Sequence, residues 1–147
     1  MPTPFSQVYG MFLSSVTSWD YVELSEEARN ANLKQLLIKS IAQFDSCKNA
    51  HDIDLELDLF KETLQINEMM ILSELMVVEY LTPIVISDDL MNDHFTPKEL
   101  KTFSTANLLK ELRTTRDEFH REALRKMNSY SVRQGMAKMF KKNMGQI

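Results

Sequence analysis

The most constraining feature of the sequence is the stretch 69–81, in which almost every residue is apolar. Its apolar residues are Met69, Ile71, Leu72, Leu75, Met76, Val77, Val78, Tyr80 and Leu81. A helix that is apolar on nearly all sides is stable only when neighbouring elements cover it. The stretch therefore predicts a central helix over 65–81, which ends before Pro83. Glu74 and Glu79 interrupt the apolar run, which argues against a membrane-spanning helix and a membrane partner.

Three further helices are predicted around this central one, because apolar residues recur at helical spacing on both sides of it. One covers residues 3–18. A second begins at Ser25, whose hydroxyl suits the first turn of a helix, and ends near Cys47. The last starts at the capping sequence Thr-Pro-Lys-Glu, 96–99, and continues toward Ser129. Together the four predict a mainly α helical bundle.

Residues 53–60 depart from this helical pattern, because apolar and acidic residues alternate along them. A period of two predicts a strand with one buried face. The residues of that face are Ile53, Leu55, Leu57 and Leu59. A strand needs partners for its N–H and C=O groups, and the sequence offers one other short candidate, 84–86. The strand therefore pairs either with that segment or with another molecule, which would make the four residues an inter-subunit strand.

The sequence thus predicts about four helices, one minor β element near 53–60, and two parts along the chain. The first part is a helical domain, 1–130, and the second is a basic C-terminal arm, 131–147. The arm carries Gly135 and Gly145 and no acid, so we expect it to be mobile and not packed on its own domain. Its candidate partner-binding residues are Arg133, Met136, Lys138, Met139, Phe140, Lys141 and Lys142. Met139 and Phe140 are the expected anchors in a partner's apolar groove.

Charge is distributed unevenly along the chain. Residues 1–97 hold 5 basic and 16 acidic residues, whereas residues 98–147 hold 12 basic and 5 acidic ones. The two parts therefore carry net charges of −11 and +7. Such asymmetry indicates nucleic-acid contact, head-to-tail docking between copies or partners, or a basic helix lying on an acidic body. The sequence alone leaves these three explanations open.

No arrangement of residues in the sequence predicts catalysis or a bound cofactor. A calcium loop counted from Asp52 requires glycine and glutamate where Leu57 and Thr63 stand. Asp117 and His120 have the spacing of half a di-iron site, but no second carboxylate–histidine pair accompanies them. A glycine-rich phosphate loop is absent, and the single cysteine has no acid–base motif beside it. We therefore expect a protein without enzymatic activity, metal or cofactor.

Four segments of the chain carry a resemblance to a known family. They are Pro4-Phe5-Ser6 with Phe12-Leu13, Ile41-Ala42-Gln43-Phe44 ending at Cys47, Met76-Val77-Val78-Glu79-Tyr80-Leu81 followed by Pro83, and 103–112. In this order and spacing they resemble small head–tail connector, or neck, proteins from tailed bacteriophages of Gram-positive hosts. The resemblance covers about residues 4–130, and the basic arm lies outside it.

The resemblance implies a structural virion protein of the phage neck, assembled in the host cytoplasm. It implies a homo-oligomeric ring, of about twelve copies by analogy with the portal, that joins the portal protein to tail or lower neck proteins. DNA would pass through the channel without sequence-specific binding. Connectors of this type usually dock on the portal through a C-terminal extension. The alternative is a DNA-binding phage accessory protein that uses its basic C-terminal third.

Overall fold

The structure is a computed structural model that describes residues 1–16, 24–92 and 105–145. Within these ranges the chain is mainly helical with a small antiparallel sheet, so the predicted fold class is confirmed. In chain order the elements are β1 (Thr3–Pro4), α1 (Phe5–Ser15), α2 (Glu26–Gln43), α3 (Lys48–His51), β2 (Ile53–Asp54), β3 (Leu59–Phe60), α4 (Ile66–Asn92) and α5 (Thr105–Met144). The predicted capping sequence 96–99 lies outside the described residues.

Helix α4 is the centre of the fold, as its apolar sequence predicts. Helices α1, α2 and α5 all pack against it. Its residues Leu72, Leu75 and Met76 are completely buried. They belong to one hydrophobic core that also includes Phe5, Val8, Phe12, Leu33, Leu37, Phe44 and Phe60. Three helices therefore bury much of the apolar surface of α4 within one chain.

Helix α4 continues past Pro83 to Asn92, so the prediction that the helix ends before this proline is wrong. The predicted strand at 84–86 is also wrong, since these residues are helical. Proline cannot donate to the carbonyl of Glu79, one turn earlier, which normally destabilises a helix interior. Here Leu81 and Val85 are buried on either side of the exposed Pro83. Tertiary packing of these side chains outweighs the local preference.

The apolar character of α4 extends over Ile66–Ile86, which is long and apolar enough to cross a membrane by length and composition. However, 56% of the most apolar 18-residue window of this stretch is buried inside the fold. A buried core helix passes the same test of length and composition as a membrane-spanning helix. The observed burial is typical of a core helix.

The segment 53–60 forms a hairpin, not one continuous strand. Strands β2 and β3 pair with each other across a four-residue turn, and β1 pairs with the other edge of β3. The alternation predicts one buried apolar face, and this part of the prediction is wrong for Leu55 and Leu57, which are exposed in the turn. The cause is Asp54, whose Oδ1 accepts hydrogen bonds from the N–H groups of Glu56 and Leu57, both at 3.0 Å. Aspartate stabilises a turn in this way.

The N-terminus of α2 is capped as the sequence predicts. Ser25 Oγ accepts a hydrogen bond from the backbone N–H of Ala28 at 3.2 Å. Glu26 and Glu27 occupy the first turn, where carboxylates interact favourably with the helix dipole. The helix ends at Gln43, and the separate short helix α3 follows.

Candidate functional site

The C-terminal part of α5 is exposed and contains all seven predicted partner-binding residues. Tyr130 is the last buried residue of this helix, and each described residue from 131 to 145 is exposed. The helix continues without a break to Met144, so the predicted arm is helical in this structure. We call 131–144 the projecting helix. At about 1.5 Å per residue it extends about 20 Å past Tyr130.

The projecting helix has two chemically different faces. At about 100° per residue, five exposed apolar residues cover a sector of about 140°; they are Val132, Met136, Met139, Phe140 and Met144. Lys138, Lys141 and Lys142 occupy the opposite side. Arg133 and Asn143 lie inside the apolar sector, Arg133 between Phe140 and Met144. The helix is therefore amphipathic, although none of its apolar side chains is covered by the rest of the described chain.

Sequence reasoning selects Met136, Met139 and Phe140 as partner-binding residues and leaves two members of this face outside that set. Val132 precedes Met136 by four residues, and Met144 follows Phe140 by four. The signal for both was the continued helical spacing. The glycines obscured it, because Gly135 and Gly145 suggest an irregular arm. The observed helix joins all five apolar residues into one surface.

Tyr130 anchors the projecting helix to the core. Its ring meets the ring of Phe44 edge to face, with 5.1 Å between the centroids. Its phenol forms a hydrogen bond with the buried thiol of Cys47. The Cys47 thiol in turn donates to Glu68 Oε2 at 3.0 Å. Aromatic packing and these hydrogen bonds together fix the point at which α5 leaves the fold.

The Cys47 thiol and the Tyr130 phenol are held in their neutral forms. Burial, and then the hydrogen bond to Glu68, raises the pKa of Cys47 to about 11. Burial, and then the hydrogen bond to Cys47, raises the pKa of the Tyr130 phenol. A thiolate is the reactive form of cysteine, so this thiol is a poor nucleophile at neutral pH. Among the described residues, there is no cluster of three or more histidine, cysteine, aspartate or glutamate side chains that could hold a metal ion.

The second predicted set, the possible inter-subunit strand, lies on the hairpin. Ile53 and Leu59 are half-buried in β2 and β3, where their backbones pair within the chain. Leu55 and Leu57 project from the turn between the strands. The structure therefore divides the four residues into a pair within the sheet and a pair at the hairpin tip. The hairpin tip and the projecting helix belong to different elements and share no residue.

No protein-family model, no curated protein and no solved structure matches the chain. The geometry described above provides two exposed apolar surfaces, one on a basic helix and one on an acidic turn. An amphipathic helix with an exposed apolar face has the chemistry to occupy an apolar groove of a partner protein.

Proposed function

We propose that the chain is a structural protein of a phage neck, a subunit of a ring that joins the portal to the tail and leaves a channel for DNA. The observation that carries the proposal is the projecting helix, with its uncovered apolar face and lysines opposite. Exposed apolar side chains at this density favour burial against another protein. Residues 4–130 resemble neck proteins, and proteins of that type dock on the portal. In this proposal the partner is therefore the portal.

In this proposal the projecting helix docks in an apolar groove of the portal. Met139 and Phe140 are the central anchors, since methionine adapts to irregular apolar surfaces and an aromatic ring supplies a large contact area. Lys138, Lys141 and Lys142 contact acidic residues at the rim of the groove. The helix is already formed before docking, which lowers the entropy cost of binding relative to a disordered arm.

The test is attachment to portal-bearing heads that lack this protein. Full-length chain should co-sediment with the heads, and a chain truncated after Tyr130 should not. The double variant Met139→Ala, Phe140→Ala should attach at least about thirtyfold more weakly, because a hot-spot truncation costs about 2 kcal/mol or more. Leu124→Ala is the matched control, since Leu124 is also exposed on α5 but precedes Tyr130. Normal attachment of the truncated chain would refute docking through this helix.

DNA binding through the same helix is the second candidate function. It is favoured by the absence of any acid after Glu122, which leaves Arg133, Lys138, Lys141 and Lys142 to contact phosphates. Replacing the three lysines by glutamine should then abolish binding to duplex DNA and reduce its salt dependence, whereas the Met139→Ala, Phe140→Ala variant should still bind. The opposite ranking of the two variants in the head-attachment assay would favour the portal.

A further inference from the structure

The hairpin between β2 and β3 holds an apolar side chain out from the surface on a fixed backbone. Leu57 is 70% exposed at the tip of the turn. Asp54 Oδ1 accepts the N–H groups of Glu56 and Leu57, and Lys34 Nζ donates to the carbonyl of Leu55 at 2.6 Å. Hydrogen bonds to Asp54 and from Lys34 therefore order the turn that carries the exposed leucines. A pre-ordered apolar tip of this kind loses little entropy when it is buried by a partner.

A concave surface of matching chemistry lies between the beginning of α4 and the last buried turns of α5. This groove has a volume of about 210 Å³, with Met70 and Ile71 in its lining. Arg125, Tyr130 and Arg133 line it from the side of α5. The volume is below the roughly 300–1,000 Å³ of small-molecule pockets, so the groove suits a protein side chain. The surface of the groove is mainly apolar and includes the cationic side chains of Arg125 and Arg133.

Unpaired charges of opposite sign accompany the two surfaces. In the groove, Arg125 pairs with Glu122 at 2.5 Å, whereas Arg133 has no ion pair within the described part of the chain. On the hairpin, Asp58 pairs with Lys34 at 2.6 Å, whereas Glu56 has no ion pair to any residue in 1–16, 24–92 or 105–145. An uncompensated carboxylate therefore stands beside Leu57, and an uncompensated guanidinium stands at the groove. Complementary charges of this kind select and orient a partner.

We propose that Leu57 of one copy inserts into the groove of a second copy, with Glu56 facing Arg133 of that copy. The inference rests on the proposed ring and assigns its subunit contact. The two surfaces share no residue, so each copy offers both and uses one toward each neighbour. A contact between two different patches is heterologous, and repeated contacts of this type close into a ring when the rotation between copies allows it.

Cross-linking between two variants that each carry one introduced cysteine tests the contact in portal-free protein. The native Cys47 is buried and does not compete for a thiol reagent. A Leu57→Cys chain mixed with a Met70→Cys chain should form a covalent dimer with a short bis-maleimide. The matched control is Ile38→Cys, because Ile38 and Met70 are both 39% exposed and lie on different helices. Equal cross-linking of Leu57→Cys to both partners, or none to Met70→Cys, would overturn the proposal.

A charge exchange supplies the second measurement. Glu56→Arg and Arg133→Glu should each reduce the Leu57→Cys to Met70→Cys cross-link by about tenfold. Combining Glu56→Arg on the first chain with Arg133→Glu on the second should restore it to within about threefold of the unmodified pair. Both side chains are exposed, so folding is not at stake. Failure of the combined pair to recover would refute the assigned contact.

The outcome separates this inference from the proposed function. If cross-linking fails while the Met139→Ala, Phe140→Ala variant, which keeps Arg133, still attaches weakly to heads, the subunit contact is wrong and portal docking stands. If cross-linking succeeds while the truncated chain still joins heads, the subunit contact stands and portal docking is wrong.

Discussion

Pro83→Ala should stabilise the protein, because Pro83 lies inside α4 and not at its end. Pro83 is exposed, so its replacement removes no core packing. Alanine restores an N–H that can donate to the carbonyl of Glu79 and removes the clash of the proline ring with that turn. Alanine is about 3 kcal/mol more favourable than proline in a helix interior. Local adjustment of α4 and the greater entropy of the unfolded alanine chain reduce the gain, and we expect about 1–2 kcal/mol.

Thermal and urea unfolding followed by far-UV circular dichroism measure this gain. For a domain of this size, 1 kcal/mol corresponds to about 2–4 °C, so the midpoint should rise by about 2–8 °C. Pro2→Ala is the matched control, since Pro2 is exposed and precedes the first strand. Its free energy of unfolding should change by less than about 0.5 kcal/mol.

A neutral or destabilising Pro83→Ala substitution would refute the reasoning. It would mean that the proline ends the helix, as its sequence position alone predicts. If Pro2→Ala raised the free energy of unfolding equally, the effect would be a general property of proline replacement and not of the position inside α4.

Two more stability predictions follow from buried groups. Because burial raises the pKa of Cys47 to about 11, the unfolded thiol ionises at lower pH than the folded one, and stability should fall as pH rises from about 8.5 through 11; denaturant titrations across this window should show a shallower fall for Cys47→Ser. Phe60 is fully buried and meets the ring of Phe5 edge to face at 4.9 Å, so Phe60→Ala should cost about 3–5 kcal/mol of unfolding free energy. Leu57→Ala, three residues away in the exposed turn, should change the same quantity by less than about 0.5 kcal/mol, and similar losses for both would contradict the described hairpin.

The sequence predicts those parts of the fold that depend on local chemistry or on a long apolar pattern. The cap at Ser25 is local, because its hydroxyl contacts a backbone group three residues away. The central position of α4 follows from the width of its apolar surface. The continuation through Pro83 is not predictable in this way, because it depends on the burial of Leu81 and Val85 by other elements. Local rules describe the preference of a segment, and tertiary packing decides whether that preference prevails.

The hairpin and the projecting helix illustrate two different reasons for an incorrect boundary. At 53–60 the alternation is real, but Asp54 and Asp58 are turn-forming residues, and Asp58 has a φ of 53°. The two aspartates indicate a turn in the sequence, but the period-two alternation is the stronger pattern and predicts a continuous strand. In the projecting helix, Gly135 lowers helix propensity by about 1 kcal/mol, but its alanine, methionine and lysine neighbours favour a helix. The predicted partner-binding residues are all exposed in the described part of the chain, where Tyr130 is the last buried residue of the helix.

The continuity of α5 through Tyr130 makes the projecting helix a lever. Its base is embedded in the core, and its tip lies about 20 Å away, so a tilt of about 10° at the base displaces Met144 by about 3–4 Å. A partner bound at the tip is therefore positioned by the packing of Phe44 against Tyr130. Conversely, a force applied at Met144 exerts a torque on that aromatic pair, because the helix between them acts as an arm of about 20 Å. The orientation of whatever this helix binds is set inside the core of the protein.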